Sequence, residues 1–239
     1  MSDPTASHSV SGQPLFPGRH FAAFLFDMDG TVLTSIASAE RVWTRWAEQH
    51  GLDAATFVPT IHGARAVDTI RNLGLPGVDA EAEARAITIA EIADVEGIDP
   101  ITGVAAFLAA LPQDRWAIVT SAPRELALRR IAAAGLPVPP LLVSADDVER
   151  GKPAPDCFLL AASRLGVAAT DCLVFEDAPA GIAAGEAAGA KVVVVTATHS
   201  HPQPTAHPQI PGYAHLFVEM TPAGGLTVLA RDTMVSPAI

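Results

Sequence analysis

Residues 21–31 read FAAFLFDMDGT, an unbroken apolar run that stops at Asp27 and is followed by Met28, Asp29, Gly30 and Thr31. A short apolar run without alternation suits a strand buried on both faces. Two carboxylates two residues apart, directly after such a strand, can share one pocket if the chain turns between them, and Gly30 permits the turn. Crowded carboxylates in a cleft resist joint ionisation unless a cation sits between them. Magnesium, a hard ion that prefers oxygen ligands, meets that need.

Working outward, further runs of the same kind lie at 116–119 (WAIV), 141–143, 172–175 (CLVF) and 192–195. Helical patterns lie between them at 103–111, 124–134, 155–165 and 179–188. The last opens on Pro179 and closes at Gly189, matching the preferences of helix ends. Strand–helix alternation predicts βαβ units, a parallel sheet and helices on both of its faces. The expected fold class is therefore α/β, a doubly wound parallel sheet.

One segment breaks the alternation. Residues 35–96 contain no clear strand but hold amphipathic patterns at 39–50, 64–73 and 80–95. We read them as a helical insertion of roughly sixty residues, comparable to a small domain. It follows the carboxyl end of the first strand, where α/β sheets bind ligands, so it is expected to act as a cap. The division is then a flexible extension over 1–20, a core over 21–34 and 97–239, and a cap over 35–96. Late edge strands are expected at 217–219 and 226–229. The Pro/His-rich stretch 198–212 reads as an exposed loop rather than a metal site.

Other chemistry-bearing residues also fall at strand ends. Thr120 and Ser121 follow the second run, and their hydroxyls and amides can donate to phosphate oxygens; Ser121 could instead cap the next helix. Lys152 lies in RGKPAP, where two prolines stiffen the loop, and can neutralise a transferring phosphoryl group. Glu176 and Asp177 end the run at 172–175 and supply a second pair of carboxylates for a metal, unless Asp177 is a helix cap. In the insertion, His62 and Arg65 are candidate substrate contacts.

The bulk composition narrows the class. Apolar residues make up 49% of 239, enough for a sizeable core. No apolar run approaches the ~20 residues that span a bilayer, and the first twenty residues lack the pattern of a signal peptide. The formal net charge is −11 with no Lys/Arg cluster, which argues against a nucleic-acid partner. Cys157 and Cys172 show no metal-ligand spacing and read as thiols of a reducing compartment, so the expected location is the cytoplasm.

Taken together, DMDGT, VTS, the lysine of GKP and FEDAPAG resemble, in order and spacing, the four motifs of the haloacid dehalogenase superfamily of phosphotransferases. The resemblance covers about residues 21–200. Within the superfamily, ERVWTRWAEQHGL, IHGARAVDTI, WAIVTS, GKPAPDCFLLAA and FEDAPAGIAAG are most similar to sugar phosphatases acting on hexitol phosphates and 2-deoxyglucose 6-phosphate, and to their glycerol-phosphatase relatives. The family's aspartate before the serine of DGTLxDS is replaced here by Thr34. The resemblance implies a magnesium-dependent phosphatase, acting on a small phosphate ester, with Asp27 as nucleophile and Asp29 as general acid and then base. It implies a metal site of Asp27, the backbone carbonyl of Asp29 and Asp177, assisted by Glu176, with Thr120 and Lys152 on the phosphoryl oxygens. The related phosphomutases carry a histidine after the first motif where Ala39 stands here, which favours hydrolysis over isomerisation. A phospho-accepting receiver module shares several of these residue types but lacks a helical insertion. A monomer is expected, because a cap closes the site without a partner.

Overall fold

The computed structural model describes residues 12–201 and 204–231. In chain order its elements are β1 (Gly12–Pro14), β2 (Ala23–Phe26), β3 (Leu33–Thr34), α1 (Ile36–Gln49), α2 (Ala54–Phe57), α3 (Ala66–Leu73), α4 (Ala80–Ala93) and β4 (Asp99–Pro100). There follow α5 (Val104–Ala109), β5 (Trp116–Val119), α6 (Arg124–Ala133), β6 (Leu142–Val143), α7 (Asp156–Arg164), β7 (Cys172–Glu176), α8 (Pro179–Ala187) and β8 (Lys191–Val195). The chain closes with β9 (Gln209–Ile210), β10 (Leu216–Met220) and β11 (Leu226–Arg231).

The main sheet has six parallel strands in the order β6-β5-β2-β7-β8-β9. Strand order reverses on either side of β2, so the carboxyl end of β2 is a topological switch point, the place where such sheets bind ligands. β2 is buried throughout, and its side chains alternate between two cores. Phe24 and Phe26 face a cluster with Phe107 and Leu108 of α5 and Leu126 and Ile131 of α6. Ala23 and Leu25 face a second cluster with Phe158 and Ala161 of α7 and Ala184 of α8. The rings of Phe26 and Phe175 stack at 4.6 Å on the first face.

α1 to α4 follow β2 and pack around a separate apolar cluster that includes Val42, Trp43, Trp46, Phe57, Ile70 and Ile87. Both chain crossings into this helical unit are tied together, because β3 and β4 pair antiparallel at its base. That short pair is too brief to be read from sequence pattern.

Three expectations need correction. Residues 12–20 are not a loose extension: β1 pairs with β11, and Leu15 and Phe16 pack on the main core. An apolar pair beside a free strand edge gives this segment a docking place that its Pro/Gly/Ser composition hides. Residues 1–11 of that expected extension lie outside the described residues. β10 and β11 are not edges of the main sheet but form a second, antiparallel sheet in the order β1-β11-β10. Within the stretch 198–212, residues 209–210 form β9 on the edge of the main sheet rather than a plain loop.

Candidate active site

Asp27 sits one residue past β2, its amide bonded to the carbonyl of Phe175 on β7 at 2.9 Å. The next residues fold into a tight loop in which the amides of Thr31, Val32 and Leu33 converge on the carbonyl of Met28. Gly30 has φ +84°, and a Cβ there would fall 1.9 Å from Oδ2 of Asp177. Glycine is thus required twice, for the turn and for the approach of Asp177.

Lys152 reaches the same point from the loop before α7. Its Nζ donates to Oδ1 of Asp27 at 2.5 Å, to Oε1 of Glu176 at 2.7 Å and to the carbonyl of Val119 at 3.1 Å. All three donor positions of the ammonium are used, and the side chain is 1% exposed. Burial would lower its pKa, but Asp27 and Glu176 outweigh burial and raise it. Glu176 is equally engaged: Oε2 accepts from the amides of Asp177 and Ala178. A Cβ at residue 181 would fall 1.5 Å from Glu176 Oε1, so Gly181 makes room for that carboxylate.

Asp27, Glu176 and Asp177 each offer an oxygen within 4.8 Å of one another. Burial pushes the Asp27 carboxyl up to about 7, with Glu176 and Asp29 adding repulsion against the pull of Lys152. Burial and the same neighbours raise Asp177 well above the usual range. Three clustered carboxylates, two of them buried against one lysine, leave uncompensated negative charge, which an oxygen-seeking divalent cation offsets. The donor set fits such an ion. Asp177 is free for it, because α8 is capped at Ala178 and not by the Asp177 side chain.

Asp29 faces the cavity between the sheet end and the helical unit. Its Oδ1 accepts from Ser35 Oγ at 2.6 Å and from Arg130 Nη1 at 3.0 Å. Its side chain is not part of the carboxylate cluster. Thr120 is buried, and its Oγ1 accepts from the amide of Ala122. Ser121 is not a helix cap; its hydroxyl donates to the carbonyl of Gly63 at 3.0 Å and ties the helical unit to the end of β5. His62 lines the cavity, and burial lowers its pKa against the pull of Glu40 and Asp29. Arg65 is drawn away from the cavity into a two-pronged pair with Asp68 and a bond to the carbonyl of Val148.

Two residues were not singled out from sequence. Arg130 of α6 and Glu91 of α4 both line the cavity and are 5% and 6% exposed. Each occupies a stripe position where an apolar residue is expected: Arg130 follows Leu126 and Ala127, and Glu91 follows Ile87 by one turn. A charge on a buried stripe was the available signal. His199, from the Pro/His-rich stretch, lies within hydrogen-bonding distance of the carbonyl of Asp177, with Nε2 at 2.9 Å.

A family model for haloacid dehalogenase-like hydrolases matches residues 21–189. The chain belongs to the haloacid dehalogenase-like hydrolases. It is similar to hexitol phosphatase A of Escherichia coli, 42% identical over 184 residues that cover 75% of this chain and 85% of that one. Glycerol-1-phosphate phosphohydrolase 2 of Saccharomyces cerevisiae is 31% identical over 187 residues, covering 74% of this chain and 75% of that one. The crystal structure of a hydrolase from Pseudomonas syringae superposes with a TM-score of 0.66 at 26% identity, covering 74% of this chain and 84% of that one. The family match spans all four motifs, including the loops that carry Asp27 and Asp177.

Proposed function

We propose that the protein is a magnesium-dependent phosphatase of small sugar or polyol phosphates that works through a phosphorylated Asp27. The observation that carries this reading is the Asp27–Lys152–Glu176 arrangement. A buried carboxylate is held by a fully coordinated lysine at a switch point, beside a carboxylate cluster suited to a divalent cation. The similarity to hexitol phosphatase A and to the glycerol-1-phosphate phosphohydrolase supports the ester class.

Phosphoryl transfer mainly requires positioning and charge stabilisation. Asp27 attacks phosphorus in line, and Lys152 offsets charge on the transferring oxygens. Thr120 and the amides at the end of β5 hold the remaining oxygens. Asp29, with Oδ1 held by Ser35 and Arg130, presents Oδ2 toward the leaving group and protonates it, then accepts the proton of the attacking water. Magnesium, held by Asp27, the Asp29 carbonyl and Asp177, would supply positive charge at the phosphoryl group and keep Asp27 ionised. Glu176, with both oxygens occupied, orients Lys152 and the turn into α8. Ala39 lines the cavity with only a methyl group, so no acid–base group stands there to favour isomerisation.

We assign residues 35–96 the role of a cap over this site. The cavity encloses about 90 Å³, below the roughly 300 Å³ at which small-molecule sites begin. Binding therefore requires outward movement of the helical unit. An open groove that shares Ala66, Thr88, Ser121 and Pro123 with the cavity is the route in. Among the described residues no helix is long and apolar enough to cross a membrane, and both cysteines are free and buried. We place the enzyme in the cytoplasm as a monomer.

The test is phosphate release from hexitol phosphates, 2-deoxyglucose 6-phosphate, glycerol phosphates and phosphoglycolate, with magnesium and with excess EDTA. Release that needs magnesium and is strongest for the polyol and sugar esters is expected. No release from any ester contradicts the proposal.

A further inference from the structure

The cavity has a second charged end, away from Asp27, made by residues on two different units. Arg130 extends from α6 of the core and Glu91 from α4 of the helical unit, their side chains 6% and 8% exposed. Arg130 Nη1 is committed to Asp29. Nη2 lies 3.1 Å from Glu91 Oε1, yet neither Nη2 nor Nε has a hydrogen-bond partner. The guanidinium and carboxylate form an ion pair between the two units, and Nε has no acceptor at all. A buried guanidinium whose Nε has no acceptor and whose Nη2 rests on an ion pair alone is costly unless something else satisfies it. Both residues border the cavity, so a ligand can do so.

Charge selects the ligand. Among the described residues that line the cavity, Arg130 is the only lysine or arginine, and it stands between Asp29 and Glu91. A second anionic group at this end would meet two carboxylates and one shared cation. A hydroxyl group suits it better, since it donates to Glu91 and accepts from Arg130. Thr88, one turn before Glu91 on α4, adds a hydroxyl to the same wall.

We propose that Glu91 and Arg130 are specificity-determining residues that bind hydroxyl groups of an uncharged polyol leaving group and reject leaving groups bearing a carboxylate. This rests on the phosphatase reading above. Because one partner comes from each unit, the pair also makes recognition depend on closure: a polyol hydroxyl between them bridges helical unit and core, whereas a carboxylate pushes Glu91 away.

The experiment compares esters matched in skeleton. Glucitol 6-phosphate and 6-phosphogluconate differ by a terminal CH2OH against a carboxylate, as do glycerol 3-phosphate and 3-phosphoglycerate. Kcat and KM are measured for the full-length enzyme with magnesium and for Glu91→Gln, with p-nitrophenyl phosphate as a substrate that has neither group. Wild type is expected to prefer each polyol ester over its carboxylate partner by at least about tenfold in kcat/KM, a discrimination of the size of one charge-assisted hydrogen bond. Glu91→Gln keeps a hydrogen-bonding group but removes the charge. It is expected to narrow that ratio by about tenfold, mainly through KM of the carboxylate esters. A wild-type enzyme that hydrolyses p-nitrophenyl phosphate but favours the carboxylate esters, or accepts both equally, overturns the specificity proposal alone and does not depend on the variant folding. An unchanged ratio in active Glu91→Gln overturns it as well. Absence of hydrolysis for every ester, p-nitrophenyl phosphate included, overturns it together with the phosphatase reading.

Discussion

At the scale of single residues, the site depends on charges that are stable only in company. Lys152 is enclosed by Asp27, Glu176 and the carbonyl of Val119. Lys152→Met would leave two buried carboxylates facing each other, a change expected to cost about 3–5 kcal/mol of stability in the absence of divalent cation. Chemical denaturation in EDTA measures it, and a loss below ~1 kcal/mol would show that the carboxylates are solvated instead. Asp147 offers a pH-dependent counterpart outside the site. Burial would raise its carboxyl, but bonds from the amide and hydroxyl of Ser144 and the guanidinium of Arg164, with Arg124 alongside, hold it well below the usual range. A depressed carboxyl contributes stability above its unfolded value near 4 and loses it as pH falls toward the folded value. Asp147→Asn is therefore expected to cost about 1–2 kcal/mol at pH 7, a modest figure because both arginines are partly exposed. Denaturation midpoints from pH 7 to pH 3 should show the deficit shrinking below pH 4; a deficit that grows on acidification would contradict this.

The elements show why some residues reach the site and others do not. Strand ends deliver Asp27, Thr120 and Glu176 because β2, β5 and β7 are adjacent and parallel, and that arrangement was legible in the apolar runs. The close approaches were only partly legible. Gly181, which lies within the helical pattern at 179–188, is the space that Glu176 fills. Gly181→Ala is expected to displace Glu176, and through it Lys152, lowering kcat about 100-fold, the effect of moving a positioning group by roughly 1 Å. Activity within threefold of wild type would contradict that chain of contacts. Arg130 and Glu91 escaped notice because a helical stripe is read by its apolar members, and a charged residue within it reads as solvated until its neighbour across the interface is known. Arg65 attracted notice for the opposite reason: a basic residue beside a loop suggested a ligand, but Asp68 three residues on takes it.

For the whole molecule, the order of elements fixed the α/β class, because alternation of runs and helices admits few topologies. What pattern did not reveal was the three-stranded sheet β1-β11-β10, since it joins residues near the two ends of the chain with nothing local to mark the pairing. The proposed cation would also tie stability to the site. In the proposed enzyme a cation held among Asp27 and Asp177 would bind the folded chain alone and relieve carboxylate repulsion, so magnesium should raise the unfolding temperature. At one hundred times its Kd it would add about 2.7 kcal/mol. Asp177→Asn should remove most of that increment in a thermal scan; an increment retained in full would place the cation elsewhere.

The central claim is that phosphate passes through Asp27. The most direct measurement is an acid quench of enzyme and radiolabelled phosphate ester during turnover, followed by trypsin digestion, for wild type, Asp29→Asn and Asp27→Asn. The account predicts label on the peptide spanning residues 20–41, more of it in Asp29→Asn because its dephosphorylation is slowed, and none in an inactive Asp27→Asn. Turnover by Asp27→Asn, or label on a different peptide, would contradict it.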